Sequence, residues 1–314
     1  MLKNCLLFCF VGFFCSVTSV ETAVLADVVI DSTLIDADDA SLPDPDPTTF
    51  GVGDSLSPSS VLTVNGSSVF NLAGGSLDGS ADFSGSSTLN VTSGSADSLF
   101  GGGFVGLSGN ATANISGGSI VGLESNSGTS VNISGGNVNL GFSIGGSIAI
   151  SGGDVSASDF NVNSGDSLEI SGGTVVVGSL FVSSGGTATI SGGVDLNNLF
   201  LIDVNGAGAS LNLVGSDFRL LFDDFDNNIF TDTPVAGPIT DSLFFDGISG
   251  TSLAGTLLDG TEFRINEANL SGGGVINLVA IPEPTSMTIL LIAGLVTSLQ
   301  RRRSHTNSLR EARA

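Results

Sequence analysis

Short triplets with the pattern apolar–polar–apolar recur along the middle of the chain, each followed by turn residues. Five triplets run directly into Ser-Gly-Gly, which begins at Ser116, Ser134, Ser151, Ser171 and Ser191. Three more, at 70–72, 89–91 and 211–213, extend the series with spacings of 17 to 24 residues. Alternation with a period of two predicts strands whose apolar residues share one face. The Gly-Gly pairs predict a sharp turn after each strand.

A second apolar run follows most of the turns, as in Ser119-Ile120-Val121. Each repeat therefore predicts two or three short strands, and residues 60–214 show no helical period. One coil of about 19 residues cannot bury its apolar face alone, whereas stacked coils bury it continuously. We therefore predict an all-β fold, a parallel β-solenoid (β-helix) of about eight short coils over residues 59–214. A β-sandwich with glycine-rich hairpins is the structural alternative.

The triplets also predict which side chains face inward and which face outward. The inward column would consist of Ile115, Ile133, Ile150, Ile170 and Ile190. The middle positions would face water, and we expect a partial asparagine ladder at Asn71, Asn90, Asn114 and Asn132.

The regions on either side of the repeats have a different composition. Residues 27–58 are rich in Asp and contain prolines between 43 and 47, which predicts an acidic linker. Val28 to Ile35 would add one strand at the N-terminal edge of the solenoid. Residues 215–280 lose the repeat and gain Phe, which predicts a small β capping region over the last strand edges. Strands are predicted there at 217–222, 242–245, 262–266 and 275–280.

Composition excludes most kinds of catalytic site. The formal net charge of −23 disfavours nucleic acid, which would repel a polyanion. Between Asp27 and Ala280 there is no Cys, His, Lys, Tyr or Trp. This excludes Ser-His-Asp and Cys-His nucleophile pairs, Cys/His zinc sites, lysine Schiff bases and disulfides in that region. We expect no cofactor and no catalysis.

Carboxylates remain as the candidates for chemistry. Asp224, Asp226 and Asn228 share the D-x-D-x-N opening of a calcium loop. An EF-hand loop would need Gly and Glu where this chain has Ile229 and Val235, so that match fails. These three residues therefore fit either a less regular calcium site or a solvated acidic turn.

Paired carboxylates define the alternative function, a polysaccharide-active β-helix enzyme. Glycosidases need two carboxyl groups about 5 to 10 Å apart. Adjacent coils would allow Asp154 or Asp159 to lie near Glu169. The absence of Trp and Tyr disfavours this enzyme, since these side chains commonly stack on sugars.

The N-terminus has the pattern of a secretory signal peptide. Lys3 supplies a positive charge, and Leu6 to Val17 form an apolar run of suitable length. Val24-Leu25-Ala26 places small residues at a cleavage site, so residues 1–26 are predicted to be a signal helix removed after Ala26. The protein would then cross the membrane through the secretion translocon. A retained N-terminal anchor is the alternative.

The C-terminus has three parts in a fixed order. Pro282-Glu283-Pro284 is followed by an apolar stretch over 286–300, and then by Arg301, Arg302 and Arg303. Prolines end regular structure, and the apolar stretch predicts a transmembrane helix. The arginines predict its cytoplasmic end, so that 304–314 would be a cytoplasmic tail.

This tail resembles the PEP-CTERM sorting signal of exopolysaccharide-producing Gram-negative bacteria. The resemblance covers residues 281–303 and implies an exosortase-type membrane protease as partner, with passage through the cytoplasmic membrane before processing. It also implies an exported protein of the cell envelope or the exopolysaccharide matrix. An unprocessed tail anchor is the alternative.

Together these features predict a secreted or cell-surface structural or adhesive protein, with exopolysaccharide as a possible partner. An autotransporter passenger would need a C-terminal membrane barrel of many strands. Only about 100 residues follow the repeats, and they end in one apolar segment.

Overall fold

The computed structural model of the chain describes residues 24–25, 28–31, 49–50, 55–56, 61–77, 80–96, 104–196, 201–224, 229–245 and 249–281. Within these residues one sheet of 23 strands is formed, with almost no helix. The strands are Val24–Leu25 (β1), Val28–Asp31 (β2), Thr49–Phe50 (β3), Ser55–Leu56 (β4), Val61–Asn65 (β5), Val69–Leu77 (β6), Ser80–Phe83 (β7), Thr88–Ala96 (β8), Val105–Leu107 (β9), Thr112–Ser125 (β10), Ser130–Ile144 (β11), Ser147–Val162 (β12), Ser167–Ile170 (β13), Thr174–Val182 (β14), Thr187–Ile190 (β15), Leu201–Asn205 (β16), Ser210–Asp224 (β17), Ile229–Pro234 (β18), Leu243–Phe245 (β19), Ser249–Leu257 (β20), Glu262–Ile265 (β21), Glu267–Ser271 (β22) and Val275–Ala280 (β23).

The chain winds into a parallel β-solenoid whose coils have three sides. The first side contains β5, β7 and β9, which pair in parallel. The second side contains the triplets of the repeat, so that β8, β10, β11 and β12 pair there in sequence order. The third side follows the Gly-Gly turn, where Ile120 pairs with Val138 and Val138 with Val155. Parallel pairing between successive coils confirms the predicted β-solenoid and excludes the β-sandwich.

The solenoid has about seven complete turns, where the repeats predicted about eight. The eighth coil begins normally, with β16 on the first side and residues 210–213 of β17 on the second. β17 then continues to Asp224 in an antiparallel sheet and forms no third side. The count is therefore lower because one long strand leaves the solenoid.

The predicted inward column is confirmed. Ile115, Ile133, Ile150, Ile170 and Ile190 are each 1% exposed and lie in register from coil to coil. Asn114 and Asn132, one position earlier, are exposed. Period-two alternation thus decides which side chains enter the core.

The two glycines of each Ser-Gly-Gly corner have different roles. A Cβ on Gly135 would lie 2.5 Å from the carbonyl oxygen of Ser116, so the first glycine permits close approach of adjacent coils. Gly136 has a φ of 87°, a backbone conformation that residues other than glycine rarely adopt. The Ser134 hydroxyl donates to the carbonyl oxygen of Ile115 at 3.4 Å and ties the corner to the coil before it.

The region after residue 214 folds as an antiparallel cap inserted before one last coil. β17 pairs with β18 and β20, and β20 pairs with β21. The four predicted strand regions are all found, with 217–222 forming part of the longer β17. β18, β20 and β22 were not predicted from the sequence.

The chain returns to the solenoid after the cap. β22 pairs in parallel with β16, and β23 pairs in parallel with β17, so both extend the stack by one layer. The edge of β22 is then covered by β19 in antiparallel pairing, and Ile239 bridges to Ile276 of β23. The predicted capping of strand edges is therefore achieved by the segment from Ile239 to Phe245.

The N-terminal edge carries short additional strands. β2 pairs in parallel with β5, which confirms a strand starting at Val28, although it ends at Asp31. β1, just before the predicted cleavage site, pairs with β4. The proline-containing part of the predicted linker, most of the predicted signal helix and the predicted transmembrane helix lie outside the described residues.

None of the helices within the described ranges is long and apolar enough to span a membrane.

The inward register predicts a large difference between two neighbouring substitutions. Ile133→Asp would bury an unpaired charge and is expected to cost about 3 kcal/mol or more of unfolding free energy. Asn132→Asp removes one exposed hydrogen bond to Asn114 and is expected to cost about 1 kcal/mol. Denaturant unfolding of both variants measures the difference. Equal losses would contradict the assigned register.

The close approach at the corner predicts a second difference. Gly135→Ala would force the Ser116 carbonyl to move and is expected to cost about 2 kcal/mol. Gly237→Ala is the control, because a Cβ there meets nothing within 4 Å. Thermal unfolding of both variants tests this expectation, and a Gly135→Ala protein as stable as the control would show that the corner is loosely packed.

Candidate interaction surface

The carboxylates proposed for polysaccharide hydrolysis lie on three different sides of the solenoid. Asp159 pairs with Ser179 on the first side. Glu169 pairs with Ala149 on the second side, and Asp154 pairs with Asn137 on the third. The three carboxylates that the alternative enzyme would use therefore point from different sides of the solenoid.

Of the three candidate calcium ligands, the structure describes Asp224. Asp224 is the last residue of β17 and pairs with Ser249 of β20. Asp226 and Asn228 lie outside the described residues. Across the described part of the chain, no group of three or more His, Cys, Asp or Glu side chains is placed to hold a metal ion.

The sorting residues follow directly after the last described residue. The Ile281 amide donates to the carbonyl oxygen of Gly215 at 2.9 Å, at the C-terminal end of the solenoid. Pro282, Glu283 and Pro284 come next, and they lie outside the described residues together with Arg301, Arg302 and Arg303.

The second side of the solenoid carries a largely polar surface, which we call the amide–hydroxyl face, with the exposed side chains of Val69 and Val279 near its two ends. Its central column is the outward position of each triplet. Two residues before most of the central positions lies a Ser or Thr, and these form a hydroxyl column. Two residues after the central position of five triplets lies the serine of Ser-Gly-Gly, and these form a serine column. The members of the face are Asn71, Asn90, Asn114, Asn132, Ala149, Glu169, Thr189, Asn212 and Asn277 in the centre, Thr88, Thr112, Ser130, Ser147, Ser167, Thr187 and Ser210 before, and Ser116, Ser134, Ser151, Ser171 and Ser191 after.

The predicted asparagine ladder is confirmed. The Nδ2 of Asn90 donates to the Oδ1 of Asn71 at 2.9 Å. Asn114 donates in the same way to Asn90 at 3.0 Å, and Asn132 to Asn114 at 2.9 Å. Each amide is thus held in one orientation by its neighbour in the next coil.

A second stretch of the ladder was not predicted. Asn212 donates to the Oγ1 of Thr189 at 3.1 Å, and Asn277 donates to the Oδ1 of Asn212 at 2.9 Å. Ala149 and Glu169 separate the two stretches. The signal for Asn277 was the triplet Ile276-Asn277-Leu278, which lacks a following Gly-Gly.

The hydroxyl columns are also held by hydrogen bonds. Ser116 donates to the carbonyl oxygen of Val91 at 3.3 Å, and Ser191 to that of Ile170 at 3.3 Å. In the other column, Ser167 donates to the Oγ of Ser147 at 3.1 Å. The face is therefore ordered across its whole width.

The amide–hydroxyl face is almost uncharged in a strongly acidic protein. Glu169 is the only charged residue among its members, although the chain carries 31 acidic residues. Asp82, Glu124 and Asp203 occupy outward positions on the first side instead. The charges are thus concentrated away from this face.

Well-defined charged contacts hold the cap. Arg264 pairs with Asp223 at 2.7 Å and donates through Nε to Ser252 at 2.9 Å. Asp259 of the β20–β21 hairpin accepts from the amide of Gly193 at 2.8 Å, and so ties the cap to the corner that begins at Ser191. These charged contacts stabilise the cap and its attachment to the solenoid.

The carboxyl group of Asp259 has a lowered pKa. Burial raises the pKa of Asp259, but hydrogen bonds from the backbone N–H groups of Thr261 and Gly193 outweigh burial and hold the pKa below its ordinary value of 3.8. The ionised carboxylate therefore stabilises the folded state.

Comparison with known proteins found no matching family model, no similar characterised protein and no similar solved structure.

The lowered pKa predicts a pH-dependent contribution to stability. A carboxylate with a depressed folded-state pKa stabilises above its unfolded-state value, and this contribution is lost as the pH falls through the folded-state pKa. Asp259→Ala is expected to lower stability by no more than about 1 kcal/mol near neutral pH, because the contact is largely exposed to water.

Thermal unfolding across the acid range measures this effect. The difference between wild type and Asp259→Ala should shrink once the pH falls below 3.8. Asp259→Asn is the control, since it keeps an acceptor oxygen but does not titrate. A difference that is constant with pH would show that the charge of Asp259 is unimportant.

Proposed function

We propose that this chain is an exported, non-catalytic structural or adhesive protein of the bacterial cell envelope or exopolysaccharide matrix. The observation that carries the proposal is the amide–hydroxyl face, a neutral surface locked by hydrogen bonds along the solenoid. Such a surface displays amide and hydroxyl groups at most of its coils, which suits repeated contacts with an extended partner.

The architecture supports a structural role. About seven turns at about 4.8 Å per coil make a rod of about 35 Å. The C-terminal strand edges are covered by antiparallel pairing from Leu243 and by the bridge from Ile239, which disfavours end-to-end growth at that end. The rod is therefore suited to act as a discrete unit that presents its sides.

The positions of the acidic side chains support the absence of catalysis. Hydrolysis by paired carboxylates needs both groups on one side of a bound sugar. Asp154, Asp159 and Glu169 lie on separate sides of the solenoid. The two basic residues between Asp27 and Ala280, Arg219 and Arg264, are both engaged in ion pairs within the cap.

The terminal sequences support export and sorting. We propose that residues 1–26 direct the chain to the translocon and that the tail holds it in the cytoplasmic membrane until an exosortase-type protease acts at Pro282-Glu283-Pro284. Ile281 is hydrogen-bonded at the end of the fold. The motif after it contains two prolines, which cannot donate to a strand and so suit an accessible segment.

Sorting predicts two new chain ends. In a native host, mass spectrometry should find a mature N-terminus at Asp27 and a C-terminus near Pro284 on surface or matrix protein. The variant Glu283→Gln with Pro282→Ala and Pro284→Ala should keep its tail, because the motif is removed and the helix and arginines are retained.

Other outcomes contradict parts of the proposal. An intact Ala314 on surface-exposed wild-type protein would show that the tail is only an anchor. A chain that stays in the cytoplasm with Met1 attached would contradict export, and with it the proposed function.

A further inference from the structure

The central column of the amide–hydroxyl face and the hydroxyl column before it keep a constant register from coil to coil. Each triplet pairs residue by residue with the next, from the strand containing Asn71 to the strand containing Asn277. The register shifts of β10 and β11 fall after Ile115 and Ile133, beyond the triplets. Equivalent positions of the triplets therefore repeat at about 4.8 Å along this side.

The ladder leaves hydrogen-bonding capacity directed away from the solenoid. A side-chain amide has two N–H donors and a carbonyl oxygen with two lone pairs. Asn114 gives one N–H to Asn90 and accepts one from Asn132, so one donor and one acceptor site remain on this exposed side chain. These groups are fixed before a partner arrives, which lowers the entropic cost of binding.

The chemistry of the face selects a neutral, hydroxyl-rich partner. Residues 60–214 contain no Lys or Arg, and the net charge is −23, so a polyanion would find repulsion and no cation. An apolar partner would bury the remaining amide and hydroxyl groups without hydrogen bonds. A sugar hydroxyl both donates and accepts, which matches the mixture of amide and hydroxyl groups along the face.

Building on the proposed function in the matrix, we propose that the amide–hydroxyl face binds an extended, neutral polysaccharide lying lengthwise along the solenoid. The sugar hydroxyls pair with the outward amides and with the hydroxyl columns on both sides. Glu169, beside the small Ala149, supplies one carboxylate acceptor in the middle of the track.

Two arginine substitutions on one strand test this surface. Ser147 and Ser156 are both exposed residues of β12, but Ser147 lies on the amide–hydroxyl face and Ser156 lies on the third side. Ser147→Arg would place a bulky charge on the track, and Ser156→Arg is the matched control. Ser130→Arg, in the hydroxyl column before the central column, is a second variant on the face.

Binding is measured by co-sedimentation of the full chain, purified in detergent, with microcrystalline cellulose and with chitin. Wild type and Ser156→Arg should bind at least one of these neutral polymers equally. Ser147→Arg and Ser130→Arg should bind it at least about tenfold more weakly, with unchanged thermal unfolding. Alginate, a polyanion, should not be bound, and no reducing sugar should be released.

Several results would overturn the inference. These are no binding to either neutral polymer, equal binding by Ser147→Arg and Ser156→Arg, preference for alginate, or a face-dependent effect on self-association or on ice growth in place of polysaccharide binding. Each of them leaves the proposed function standing if the protein is still found at the surface. A cytoplasmic protein that binds cellulose would instead overturn the proposed function alone.

Discussion

Close stacking of each coil on the one before it, at the Ser-Gly-Gly corner, is the constraint on which the rest of the structure depends. Without a side chain at Gly135, the backbone of one coil can approach the Ser116 carbonyl of the previous coil. The serine hydroxyl then binds the carbonyl at the end of the preceding triplet. Because this contact recurs, the coils cannot slip, and every triplet is held directly above another.

Constant register has opposite consequences inside and outside the solenoid. Inside, it places isoleucine over isoleucine and builds a continuous apolar core. Outside, it places amide over amide, so that neighbouring asparagines can share hydrogen bonds. Core packing and surface order thus have one cause. A surface built in this way is repetitive by necessity.

The acidic side chains are distributed unevenly over the sides of the solenoid. A buried carboxylate without partners would be costly, and most acidic side chains of the coils occupy outward positions or turns. Asp166, at 4% exposed, accepts hydrogen bonds from the Ser127 hydroxyl and the Asn163 amide. The same separation keeps the second side almost neutral and divides Asp154, Asp159 and Glu169 among three sides. The nearly uncharged second side and the separation of these three carboxylates therefore arise together.

The sequence by itself determined the strands of the repeat, their inward isoleucines and the first stretch of the asparagine ladder, because period-two alternation and a regular spacing are local properties of the chain. Only the tertiary structure decided where the repeat ends. Leu211-Asn212-Leu213 has the pattern of every other triplet, yet β17 continues into the cap because its partners β18 and β20 come from later in the chain. Likewise, Ala268-Asn269-Leu270 precedes Ser-Gly-Gly as the triplets do, but it pairs with β16 on the first side. Long-range pairing of this kind depends on which strand edge is open when the chain returns, and a local pattern does not encode that.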